Sequence, residues 1–170
     1  MCERPYVPTM QAPARSLAGL IDLYERNYIR LMRLVPELRA MQGTTVSRVV
    51  DALDLYLTVI ERSKYTTGLV LTYQFQDGDE VFAEPNARIR VYHDARAVEV
   101  VSQTRRRRPA IPARRWRPDH MPELDRKWEL NRFLYKWLGF CQRQGHIFLR
   151  CITVATDPPR HRFSQTLLQR

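Results

Sequence analysis

Apolar residues in this chain keep one period near each end and another in the middle, and that change limits the folds open to it. Leu17, Leu20, Tyr24, Tyr28, Leu31 and Val35 recur at three- or four-residue steps or multiples of them, the spacing that gathers side chains on one side of a helix. Ser16 is a suitable N-cap and Pro36 a stop, with Arg26, Arg30 and Arg33 directed mostly to the other side. From residue 53 the step is two. Leu53, Leu55, Leu57 and Val59 alternate with Asp54, Tyr56, Thr58 and Ile60, and Leu69, Leu71, Tyr73 and Phe75 alternate with Val70, Thr72 and Gln74. Both runs read as strands with one apolar face, joined through residues 63–65. Residues 46–52 supply a further candidate strand and residues 76–79 a turn. Residues 88–92 pair with residues 97–101 across His93, Asp94, Ala95 and Arg96. After the helix-start residues Asp119, Pro122 and Glu123 the helical period returns. Leu130, Leu134, Trp137, Leu138 and Cys141 form its stripe, widened by Trp128, Phe133 and Phe140, and Gly145 ends it. Residues 147–154 read as a short extra strand.

This order predicts an α+β domain: an antiparallel meander of four to five strands, flanked in sequence by two long helices packed on one sheet face. The other face is left to water or to a partner. A chain of 170 residues is long enough to bury such a core without metals or disulfides. The domain is expected over residues 16–154. A flexible segment with Pro5, Pro8 and Pro13 precedes it over residues 1–15, and a loose tail follows over residues 155–170.

Composition narrows the surroundings. No stretch approaches the ~20 apolar residues of a membrane-spanning helix, and Met1-Cys2-Glu3-Arg4-Pro5 carries charge and proline where a secretory signal carries an apolar run. A cytoplasmic, non-membrane protein is the expectation. Cys2, Cys141 and Cys151 include no Cys-x-x-Cys pair, so neither a disulfide framework nor a zinc knuckle is implied. The net charge is +10, which concentrates polyanions near the surface. Nearly all of the positive charge is arginine, with lysine only at Lys64, Lys127 and Lys136.

Four separated strings carry a resemblance. Leu23-Tyr24-Glu25-Arg26-Asn27-Tyr28 runs into Leu31-Met32-Arg33-Leu34-Val35-Pro36; Leu57-Thr58-Val59-Ile60-Glu61 precedes Tyr65-Thr66-Thr67. Arg90-Val91-Tyr92-His93-Asp94-Ala95 precedes Val98-Glu99-Val100, and Asn131-Arg132-Phe133-Leu134 precedes Trp137-Leu138 and Cys141. Together they resemble the YqiB-like family of small, uncharacterised, cytoplasmic gamma-proteobacterial proteins. The resemblance spans residues 16–145 and implies a bacterial cytosolic address without implying an activity. Two places depart from the family pattern. Arg115-Trp116-Arg117-Pro118 stands where the family has an aromatic-Pro-Asn turn, and Asp125-Arg126-Lys127 where it has Asp-Glu-Lys.

Candidate chemistry lies in three groups. Glu61, Tyr65, Thr66 and Thr67 at a strand end, with Tyr92, His93, Asp94 and Glu99 around the hairpin turn, offer polar side chains to a protein partner or small ligand. A bland alternative assigns Glu61 to a surface ion pair, the threonines to strand propensity, and His93 and Asp94 to turn chemistry. The leading expectation is a non-enzymatic binding or adaptor protein using this surface. Second, Arg105, Arg106, Arg107 and Arg108 with Arg114, Arg115, Trp116 and Arg117 combine phosphate-pairing forks with a stacking aromatic, as an RNA or DNA contact would, although a solvated loop has the same composition. Third, His93 with Asp94 contains the ingredients of a small hydrolase. His93, His120, His146 and His161 occur singly, which does not suggest a metal site. No glycine-rich phosphate loop is present, and no cofactor is expected.

Overall fold

Ser16 starts the first helix in the computed structural model, which describes residues 15–77, 80–104 and 122–149. Its hydroxyl accepts a hydrogen bond from the Gly19 N–H at 3.0 Å, giving a partner to one donor left open by the first turn. Helix α1 spans Leu17–Leu34, and the Val35 N–H closes it on the Leu31 carbonyl just before Pro36. A 3-10 turn, Leu38–Ala40, leads into the strands. These are β1 Thr44–Ser47, β2 Leu55–Arg62, β3 Thr66–Asp77, β4 Glu80–Tyr92 and β5 Ala97–Thr104. They form one sheet in chain order, each pair antiparallel. Helix α2, Glu123–Arg143, follows. Gly145 carries the chain away from it at φ 87°, a left-handed conformation in which a Cβ would be strained.

The expected two layers are present. Leu55, Leu57, Leu69, Leu71, Ala87, Ile89, Val91, Val98 and Val100 are buried, and the strand registers put them on one side of the sheet. Leu31 and Leu34 of α1, with Leu134, Trp137, Leu138 and Cys141 of α2, join them in one core. Between the helices Asn27 and Asn131 are fully buried. Asn27 Nδ2 donates to the Asn131 carbonyl and side-chain oxygens at 3.2 and 3.4 Å. Asn131 Oδ1 also accepts the Val100 N–H of β5 at 3.0 Å, so one amide joins both helices to the sheet edge.

Several sequence expectations need correction. The strand expected over residues 46–52 is instead β1, which ends at Ser47; Asp51 at φ 62° turns the chain out of the extended region. Leu53 therefore precedes β2 and is 47% exposed rather than on the apolar face. A bulge between Val59 and Glu61 breaks the alternation that sequence continued through Ile60. β4 and β5 are longer than residues 88–92 and 97–101 because main-chain pairing carries the β3–β4 ladder out to Asp77 and Glu80 and the β4–β5 ladder out to Asn86 and Thr104, independent of apolar pattern. Arg30 does not face away from the core: it donates to the Tyr135 carbonyl at 2.9 Å and stacks 3.7 Å over the Tyr135 ring. Of residues 147–154, residues 147–149 are not a strand; the Phe148 N–H donates to the Leu34 carbonyl at 2.8 Å, which docks this segment on the end of α1. The remainder, the expected tail and residues 1–14 lie outside the described residues.

Cys141 is fully buried, with its sulfur 3.4 Å from the Tyr73 hydroxyl, and burial pushes its thiol up to about 11. Because the thiolate is the reactive form, Cys141 is expected to resist a thiol reagent under native conditions. In a chain with Cys2→Ser and Cys151→Ser, labelling should appear only on denaturation; reaction at the rate of a free small thiol would contradict this.

Candidate functional site

The β2–β3 and β4–β5 turns sit at the same end of the sheet, since both hairpins reverse there. Glu61, Gly68, Arg90 and Glu99 are successive partners across β2, β3, β4 and β5, and Arg62, Thr67, Val91 and Val98 form the next row. Neighbouring residues on a strand face opposite sides. Val91 and Val98 belong to the core, so the Glu61 row faces away from it. The Val59/Glu61 bulge sets this phase; had the alternation run regularly through Ile60, Glu61 would point at the core and Arg62 away.

In the outer row, Gly68 leaves room for its neighbour. A Cβ there would lie 2.6 Å from Glu61 Cγ, so the Glu61 side chain crosses β3 and its carboxylate comes within 3.6 Å of the Arg90 guanidinium. Tyr92 donates to Glu99 Oε1 at 2.7 Å, while Tyr24 of α1 donates to Oε2 at 3.5 Å and Lys127 of α2 lies 3.7 Å from it. Burial, then the Glu99 charge, pushes the Tyr24 hydroxyl up to about 12. Burial and the bond to Glu99 likewise raise Tyr92. Both phenols therefore stay protonated at neutral pH and act as donors to Glu99.

On the inner side, Arg62 donates to the Arg39 carbonyl at 2.5 Å, to the Leu38 carbonyl at 3.1 Å and to the Met41 carbonyl. His93 is buried beside it; its Nε2 and Thr67 Oγ1 share a 2.9 Å hydrogen bond, and its main-chain N–H donates to the Tyr65 carbonyl at 2.9 Å. Burial first, then the positive charges of Arg39 and Arg62, lower its pKa, against the opposing charge of Asp94. With Tyr28, Met32, Pro36, Glu37 and Arg39, His93 lines an open cleft of about 510 Å³.

The structure thus divides the sequence-predicted residues. Glu61, Tyr92 and Glu99 share the outer side, Thr67 and His93 the inner, and Tyr65 and Asp94 are exposed at the turns. Thr66 is half-buried, and its carbonyl accepts the Ser63 N–H at 2.8 Å. His93 and Asp94 diverge: one is buried against Thr67, the other faces solvent. The arginine segment with Arg105, Arg106, Arg107, Arg108, Arg114, Arg115, Trp116 and Arg117 lies outside the described residues. Sequence reasoning missed Tyr24, Arg62, Arg90 and Lys127. Gly68 inside a strand was a usable signal of close approach; nothing local marked the other four.

His93 and His146 are both buried with lowered pKa, burial being the first cause in each. The unfolded chain then binds more protons than the folded one below the ordinary value of 6.5. Their contribution to stability is complete above that pH and is lost as pH falls towards the folded-state values. The urea midpoint should drop between pH 7 and pH 5, and NMR titration should give both histidines midpoints below 6.5. A histidine titrating at or above that value would remove it from this account.

Residues 30–147 match the family described as "Protein of unknown function (DUF1249)". The chain belongs to the DUF1249 family. "Uncharacterized protein YqiB" of Escherichia coli K12 is 35% identical over 127 residues, which cover 74% of this chain and 88% of that protein. The proteins of the same name from E. coli O6:H1 and O157:H7 are equally similar. These matches bear out the YqiB-like resemblance. No solved structure matches the chain. The DUF1249 range contains both rows at the sheet end and the lining of the His93 cleft apart from Tyr28. Among the described residues, no group of three or more His, Cys, Asp or Glu could hold a metal ion, and no helix is long and apolar enough to cross a membrane.

Proposed function

We propose that this DUF1249 protein is a non-catalytic binding or adaptor protein of the bacterial cytoplasm, and that its contact surface is the sheet end carrying the β2–β3 and β4–β5 turns. The observation that supports this reading is the pre-ordered cluster of Glu61, Arg90, Tyr92 and Glu99 on the outer side, held by hydrogen bonds and ion pairs, with the concave His93 cleft on the inner side of the same sheet end. Side chains fixed before an encounter lose less entropy on binding, and the exposed Tyr65, at 51%, supplies an aromatic contact of the kind enriched at interfaces. A binding role also suits His93 better than general-base catalysis, since its Nε2 is engaged by Thr67 and Asp94 points to solvent.

The test is capture from native lysate at moderate and high salt, with and without nuclease, comparing the wild type with a Tyr65→Ala/Asp94→Arg variant of unchanged melting temperature. A partner that persists at high salt and after nuclease, and is lost in the variant, supports the reading. Capture unaffected by the variant places the surface elsewhere. Capture abolished by nuclease, with a steep salt dependence, favours nucleic-acid binding through Arg105 to Arg108 and Arg114 to Arg117.

A further inference from the structure

Two hairpin turns meet at the sheet end. Thr66 is the register partner of Tyr92, and the His93 N–H donates to the Tyr65 carbonyl at 2.9 Å, so residues 63–65 lie beside residues 93–96. Lys64 in the first turn and Arg96 in the second are exposed. On the inner side Arg62 holds the carbonyls of Leu38, Arg39 and Met41, which brings Arg39 to the same end, and both guanidinium charges act on His93. Arg39, Arg62, Lys64 and Arg96 therefore border one surface, and among the described residues none of them is paired with an acid. The acids of the outer side are already engaged: Glu61 lies 3.6 Å from Arg90, and Glu99 meets Tyr92 and Lys127. Against the four cations stand the exposed Glu37 and Asp94.

Uncompensated positive charge at a contact surface selects a partner of negative potential. Two observations favour a polypeptide over a nucleic acid. The cleft of about 510 Å³ beside Arg39 is lined in part by Tyr28, Met32, Pro36 and Leu38, an apolar wall of the kind that receives an anchoring side chain. A nucleic acid also carries charge on every phosphate and would set some of it against Glu37 and Asp94. A peptide can place carboxylates opposite the cations and a neutral or basic residue opposite those two acids.

We propose that this surface takes an acidic protein segment with an apolar anchor: a leucine or phenylalanine side chain enters the His93 cleft, and flanking carboxylates pair with Arg39, Lys64 and Arg96. The inference rests on the sheet end being the contact surface, and adds the chemistry of what it contacts.

The probes are fluorescein-labelled pools of short amidated peptides with a central leucine or phenylalanine, flanked in one pool by glutamate and aspartate and in the other by serine and glycine, with labelled oligothymidylate as the nucleic-acid arm. Each is titrated with the full chain at physiological salt and read by anisotropy. The acidic pool is expected to bind about tenfold more tightly than the neutral one, the combined effect of three exposed ion pairs. Arg39→Ser/Lys64→Ser/Arg96→Ser should abolish that preference at an unchanged melting temperature; Arg62 is left intact because it ties the 3-10 turn to β2. Arg105→Ser/Arg106→Ser/Arg107→Ser/Arg108→Ser removes more charge and should keep the preference, which separates a local surface from the net charge of +10. Equal affinity for the two pools would overturn the proposal, as would a preference that survives the triple variant or falls as far in the quadruple one. Oligothymidylate bound more tightly than the acidic pool, and released by the triple variant, would assign the surface to nucleic acid instead. A lysate partner lost in the Tyr65→Ala/Asp94→Arg variant but kept by the triple variant would leave the contact surface standing and overturn its acidic preference alone.

Discussion

Asn131→Leu is expected to destabilise the protein by about 2–4 kcal/mol, the sum of an orphaned buried amide and a lost side-chain bond. The Val100 N–H loses its acceptor and Asn27 Nδ2 loses one of its two, and both residues are shut off from water, Asn27 at 0% and Val100 at 3% exposed. Leucine keeps the branched heavy-atom skeleton of asparagine, so no cavity opens, and its bulkier methyl groups add overpacking to the lost hydrogen bonds. Against a total stability of about 5–15 kcal/mol for a domain this size, the loss is large. Urea denaturation measures it, and a change below about 1 kcal/mol would mean that Val100 finds another acceptor. Adding Asn27→Leu should cost less than its effect alone, because the two amides share a bond and neighbouring substitutions are not additive.

Arg62→Met should cost about 2–3 kcal/mol, in the range for hydrogen bonds made by a charged group. Its guanidinium ties the end of β2 to the carbonyls of Leu38, Arg39 and Met41, closing the 3-10 turn against the sheet. Methionine preserves the hydrophobic stem and removes the donors. A second readout separates charge from packing: Arg62 is one of the charges that hold the His93 pKa down, so the histidine should titrate at higher pH in the variant. Unchanged stability together with an unchanged His93 titration would show that Arg62 does not bridge these elements in solution.

The layers were legible in the sequence because burial imposes period, and Leu69, Leu71, Leu134 and Leu138 keep theirs without interruption. What was not legible depended on single residues that shift the phase. One extra residue near Ile60 decides that Glu61 faces solvent and Arg62 faces inward, and no local composition announces a bulge. The same limit governed the candidate surface. Glu61, Tyr92, His93 and Glu99 were named from sequence, yet their separation onto two sides of the sheet follows from register. Arg30 read as a residue of the helix's other side and Arg62 was not singled out, because each contact that defines them, to Tyr135 and to the carbonyls of residues 38, 39 and 41, is made to a chain segment distant in sequence.

The margins of the sheet carry a consequence for how other molecules can approach. On the β5 side, Asn131 occupies the Val100 amide. On the β2 side, β1 covers residues 55–58, and the Gly43 carbonyl accepts the Val59 N–H; the rest of β2 presents a bulge followed by Glu61 and Arg62. Short cover, irregular backbone and charge are the features that keep natural sheets from recruiting foreign strands. The β2 margin thereby offers little continuous backbone to an added strand, whereas β5, Ala97–Thr104, is the longer edge and is interrupted at Val100.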